Sequence, residues 1–187
     1  PRYKDKAYLS AMRINNLVWQ HGLMAALISV VLSLVAYIFG VEMLIGWQVG
    51  MAQSLLIIIT MVIVSRAIRS AEDDFISFGR VLGHIMIAVL CILTASALFN
   101  IFLFNVINPD LIEVVVDMSI ERAEEMMKSL GLEGELLEQT MKETRVTIIN
   151  GYSFSGSIKG VFIGSILWGL IALIVAATQY RVDKTSN

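Results

Sequence analysis

Between Arg80 and Asp110 the chain reads RVLGHIMIAVLCILTASALFNIFLFNVINPD, and no residue inside that bracket carries a formal charge at neutral pH. A block this long and this apolar predicts a helix that crosses a bilayer, because about 20 such residues span a hydrocarbon core of about 30 Å. Helix is the default conformation there, since lipid offers the backbone no hydrogen-bonding partner. An Asp, Lys or Arg at the centre of such a helix costs roughly 2.5–3.5 kcal/mol to insert, so charges mark where spans end. The same reading, carried outward, finds three more blocks. Arg13 and Glu42 enclose a span at about 17–39, and Glu42 and Arg66 one at about 43–64. The quoted block itself gives a span at about 81–106, and Lys159 and Arg181 enclose the last, at about 160–179.

Composition agrees. The chain is 57% hydrophobic and 16% charged, with mean hydropathy +0.75, against about 25% charged residues in soluble domains. One cysteine, Cys91, allows no disulfide within the chain, and His21 and His84 are its two histidines. No Cys/His metal cluster is therefore expected. A net charge of −2 gives no electrostatic footprint for nucleic acid. The basic start (Arg2, Lys4, Lys6, Arg13) leads into an apolar block long enough to stay in the membrane, so no cleaved leader is expected.

Nine of the 14 Lys and Arg fall in the N-terminal segment, the 66–80 loop and the tail (Arg181, Lys184). The 110–159 segment is strongly acidic. The positive-inside rule then places both termini and the 66–80 loop in the cytoplasm. Trp19 and Tyr180 fall near one expected boundary, and Tyr37 and Trp47 near the other, as interfacial belts do. The expected architecture is an all-α membrane protein of four transmembrane helices in two hairpins. An extracytoplasmic amphipathic helical insertion at 108–158 joins spans 3 and 4. Within it, Ile112, Val116, Ile120, Ala123, Met127 and Leu130 make one apolar stripe at helical spacing. Asn108 suits an N-cap, Pro109 the first helical position and Gly131 a C-terminal stop. A second helix is expected at about 133–145. Its acidity makes the insertion a poor ligand for anionic headgroups, so packing over the bundle or against a partner is favoured.

The 66–80 loop, RAIRSAEDDFISFGR, concentrates the polar chemistry. Arg66, Arg69 and Arg80 stand at its edges, where they can reach lipid phosphates or a partner, and Phe75 and Phe78 add an apolar knob. Glu72, Asp73 and Asp74 have no second acidic motif beside them, which argues against a metal centre. No catalytic constellation, metal or cofactor is expected. Gln53, Ser54, Thr60, Thr94, Ser96, Asn100 and Asn105 are polar positions within the spans, and Asn100 and Asn105 read as glue between helices. Gly156, Gly160 and Gly164 give the last span a small face for close helix approach, within the bundle or in a homo-oligomer. Trp168 belongs to the same packing set, its indole N–H expected on a carbonyl acceptor.

The stretch IIITMVIVSRAIRSAEDDFISFGRVLGH (57–84) resembles the bacterial membrane family catalogued as domain of unknown function 4199. INPDLIE (107–113), GSILWGLIALIVAA (164–177) and ISVVLSLVAYIFG (28–40) carry the same resemblance. It implies a multi-pass protein of the bacterial inner membrane. It also implies a non-catalytic anchor or accessory subunit for a cytoplasmic polyprenyl-phosphate glycosyltransferase resembling dolichol-phosphate mannose synthase. Membrane lipids are the other expected partners. The alternative is a small oligomeric transporter or lipid-handling protein, with a polar path along Asn100, Asn105 and Gln53 or a lipid-sized groove between spans.

Overall fold

A computed structural model describes residues 2–71 and 77–179, with side chains over 12–70 and 77–178. The elements are all helical: α1 (Arg2–Phe39), α2 (Val41–Leu44), α3 (Trp47–Ala71), α4 (Phe78–Phe102), α5 (Leu111–Ser129), α6 (Glu135–Tyr152) and α7 (Phe154–Gln179). A π-helical turn, Leu103–Ile107, continues α4. Four stretches are long and apolar enough to cross a bilayer: Met12–Phe39, Trp47–Ser70, Phe78–Ile107 and Phe154–Thr178. With 38 residues, α1 is about 57 Å long at 1.5 Å per residue, and so outruns a hydrocarbon core of about 30 Å.

Gly40, at φ 116, turns the chain out of α1. Short α2 and Gly46 follow, so α3 starts at Trp47. Spans 1 and 3 meet closely because α1 presents a face of small residues. Gly22, Ala25, Ala26, Ser29, Ser33 and Ala36 are all buried, at spacings of three and four that keep one helix face together. A Cβ at Gly22 would lie 3.1 Å from the Ala88 Cα of α4, the close backbone approach that small residues permit in membranes. The large side chains point outward. In α7, Phe162, Ile166 and Ile174 are each 68% exposed, as a lipid-facing surface requires.

Two apolar clusters divide the bundle. One gathers Ile14 and Val18 of α1, Met61 and Ile68 of α3, Val81 and Ile85 of α4, and Ala172 and Ala176 of α7. It fills the half nearest the arginines of the 66–80 loop, here termed the arginine end. The second joins Leu103, Phe104, Leu111 and Val115 with Tyr37, Leu44 and Tyr152. It lies at the opposite, insertion end, where the first half of α5 packs over the bundle.

The insertion differs from the expected one in detail. The Asn108 N–H closes the π turn on Leu103 O at 2.9 Å, while its carbonyl accepts the Leu111 N–H at 3.2 Å. Asn108 is thus spent on the joint, α5 starts at Leu111, and no side chain caps it. Gly131 does end α5. Its φ is 84, and Leu132 N–H to Met127 O and Gly131 N–H to Lys128 O, each 3.0 Å, form a Schellman motif. The second helix runs on to Tyr152 through a β-branched run that favours helix poorly. That extension brings the Tyr152 ring to 4.4 Å from Phe104. Ser153 then caps α7, its Oγ accepting the Gly156 N–H at 3.0 Å.

Candidate functional site

A polar layer lies between the two apolar clusters. Ser29 Oγ donates to Gln53 Oε1 at 2.7 Å, and Gln53 Nε2 donates to Ser29 O at 3.0 Å. The second amide hydrogen goes to Ser33 Oγ at 3.2 Å, and the Ser33 hydroxyl donates to Ser29 O at 3.2 Å. Those partners fix the amide orientation, since Nε2 faces a carbonyl that can only accept. The Ser29 hydroxyl hydrogen is committed to Gln53. Ser96 on α4, whose Oγ lies 2.7 Å from Ser29 Oγ, must therefore be the donor in that pair. One network ties α1, α3 and α4 together at mid-bundle. Other hydroxyls in the spans stay on their own helix, Thr60 on Leu56 O at 2.7 Å and Ser65 on Val62 O at 2.9 Å, the local back-bond that Ser and Thr make in helices.

A cavity of ≈ 420 Å³ opens beside this layer, lined by Gln53, Ser96, Asn100, Phe104, Tyr152 and Trp168 among others. A second space of ≈ 310 Å³ adjoins it across Ser96, Asn100 and Tyr152 and runs along Ser157 and Gly160. Among the described residues no charged side chain lines either one. Burial pushes the Tyr152 phenol up from its ordinary value, so it stands as a neutral hydroxyl. A third groove, ≈ 470 Å³ and almost wholly apolar, runs between α1 and α4 past Trp19, Leu23, Leu90 and Cys91.

The residues expected from sequence divide between these places. Gln53 and Asn100 share the cavity. Asn105 does not: it is exposed and, within the π turn, donates to Ile101 O of α4 at 2.8 Å. Among the described residues neither asparagine bonds across helices, so the glue there is Gln53 and the serines. Among the described residues Trp168 has no hydrogen-bond partner, in place of the expected carbonyl. Its ring packs against the first cluster and lines the cavity. Of the three glycines, Gly164 lies against Leu93, with a built Cβ at 3.5 Å from its Cδ1. A Cβ at Gly160 would meet nothing within 4 Å, and one at Gly156 would collide with the Asn150 carbonyl across the α6–α7 joint.

At the arginine end Arg66 and Arg80 are exposed and Arg69 is half-buried. Phe78 packs against the first cluster, so its ring serves the bundle as well as the loop. Phe75, Glu72, Asp73, Asp74 and Tyr180 lie outside the described residues. His84 bridges to α1, its Nε2 3.4 Å from Asn15 Oδ1. Among the described residues no three His, Cys, Asp or Glu side chains gather where they could hold a metal ion.

Sequence reading missed Ser29, Ser33 and Tyr152. The signal for the serines was present in the small-residue face of α1. Tyr152 had none, since only the fold carries it to the cavity.

The model of the family described as Protein of unknown function (DUF4199) matches residues 20–177. No curated protein and no solved structure matches the chain. The match begins at the close-packed half of α1, takes in the polar layer and the whole insertion, and ends within the last turns of α7. With its four helices long and apolar enough to cross a membrane, the chain therefore belongs to the family described as Protein of unknown function (DUF4199).

Proposed function

We propose that the protein is a non-catalytic integral anchor or accessory subunit of the bacterial inner membrane. In this reading both termini are cytoplasmic, and the arginine end recruits or stabilises a cytoplasmic enzyme, a polyprenyl-phosphate glycosyltransferase resembling dolichol-phosphate mannose synthase. One observation carries it. Arg13, Arg66, Arg69 and Arg80 gather where α1, α3 and α4 reach the same end of the bundle, and α1 continues beyond that end. Basic residues at that level suit an anionic leaflet at about 1 kcal/mol each, and a helix standing clear of the bilayer suits a protein partner. The test is purification of the full chain from its own membranes in mild detergent. Glycosyl transfer to polyprenyl phosphate should co-purify and should be lost with Phe75→Ala and Arg66→Ala together. Absence of that activity from the intact preparation, or its persistence in the double variant, contradicts the reading.

A second reading is supported by the cavity and the apolar groove: a small transporter or lipid-handling protein working as an oligomer. It predicts movement of solute or lipid across reconstituted vesicles, which an anchor does not require.

A further inference from the structure

We propose that the cleft around Asn100 binds an uncharged, hydroxyl-rich molecule or headgroup, held by Asn100, Tyr152 and Trp168. The inference rests on the second reading above only in taking the cleft for a binding site, and it requires no transport.

Three residues that line the cleft carry a polar group with no hydrogen-bond partner among the described residues: the Asn100 amide, the Tyr152 hydroxyl and the Trp168 indole N–H. Several other polar side chains of the spans are satisfied locally. Thr60, Ser65 and Asn105 each bond a carbonyl of their own helix. Asn105 has the same side chain as Asn100, five residues on, and satisfies itself in that way. Asn100 makes no such bond and lines the cleft. All three residues are half-buried at an open cleft, so their hydrogen-bonding capacity is available to an occupant that enters it. The spaces of ≈ 420 Å³ and ≈ 310 Å³ far exceed the roughly 30 Å³ that one water occupies and are of ligand size.

The lining selects the chemistry. No charged side chain is among the described lining residues, so a phosphate, a carboxylate or an ammonium meets no counter-charge within the cleft itself. The three groups offer donors, and Asn100 and Tyr152 also offer acceptor oxygens. A ligand that both donates and accepts meets that set, as a hydroxyl does. A phosphate would only accept and an ammonium only donate. Phe104, Tyr152 and Trp168 supply flat apolar walls for the C–H faces of such a ring.

The experiment uses the full chain in phosphatidylcholine nanodiscs with Trp19→Phe and Trp47→Phe, exposed positions whose loss leaves Trp168 as the reporter. Two neutral probes separate the sources: monoglucosyl diacylglycerol in the bilayer, and free glucose in solution. Phosphatidic acid is the charged comparison. A saturable change in Trp168 emission is expected with one neutral probe and not with phosphatidic acid. Asn100→Leu should weaken it by about tenfold, the order of one well-placed hydrogen bond. Tyr152→Phe removes only a hydroxyl on another helix and should weaken it by a similar factor; it decides the matter if the first variant does not fold. No saturable response to either neutral probe, an equal response to phosphatidic acid, or unchanged affinity in the folded variants overturns the proposal. A nanodisc has no compartments, so binding succeeds or fails here whatever vesicle transport assays show.

Discussion

Ser29 and Gln53 hold each other twice: the serine hydroxyl donates to Gln53 Oε1 at 2.7 Å, and Gln53 Nε2 returns a bond to the serine carbonyl at 3.0 Å. Gln53→Leu removes both and the bond to Ser33. Interhelical hydrogen bonds in membranes average about 0.6 kcal/mol, so a loss of roughly 1–2 kcal/mol is expected. Thr60→Val, at a buried hydroxyl bonded only to its own helix, should cost less, since no bond between helices is lost. Reversible unfolding in mixed micelles compares the two directly.

Gly22 and Gly160 should behave differently although both sit in spans. A Cβ at Gly22 lies 3.1 Å from the Ala88 backbone, while at Gly160 it meets open space. Gly22→Leu should separate α1 from α4 and cost roughly 1–3 kcal/mol as an overpacked contact. Gly160→Ala should stay within about 0.5 kcal/mol of the parent. Unfolding midpoints of the two variants decide it.

Gly40 turns the chain with φ 116 and ψ 168, a region that residues with a Cβ scarcely enter. Gly40→Ala has free space around its methyl, so its penalty isolates backbone strain, on the order of 1–3 kcal/mol. An unfolding titration of this variant beside Gly160→Ala measures that penalty without a packing change.

Tyr152 gives a pH signature. Burial raises its folded pKa above the ordinary phenol value of about 10. The folded state therefore keeps its proton where the unfolded chain loses it. The stability this contributes is fully present below about pH 10 and is lost as pH rises through the higher folded value. Ultraviolet difference titration of the parent against Tyr152→Phe should show one phenol ionising late.

The membrane architecture was legible because charge is expensive in lipid: Arg13, Glu42, Arg66, Arg80, Asp110, Lys159 and Arg181 bracket the four spans by themselves. Gly131 was legible for a similarly local reason, since a left-handed C′ position favours glycine. The candidate site was half legible. Gln53, Ser96 and Asn100 stand out as polar residues in apolar runs, but Ser29 and Ser33 look like ordinary helix serines until α3 places an amide opposite them. Spacing in α7 shows a small face and not what stands against each position: Gly164 lies against Leu93 and Gly160 meets open space, while the α1–α4 approach is made at Gly22. Asn100 and Asn105 are alike in sequence, and only the π turn and the packing of α6 and α7 put one in the cleft and the other outside it.

In the proposed topology the arginine end faces the cytoplasm, where an enzyme can reach it. In a Cys91→Ala background, Ser77→Cys reports that end and Glu135→Cys the insertion. A membrane-impermeant thiol reagent applied to intact spheroplasts should label the Glu135→Cys chain and reach the Ser77→Cys chain only after lysis. Labelling of Ser77→Cys from outside, with Glu135→Cys protected, would put the arginines on the far side of the membrane and contradict the account.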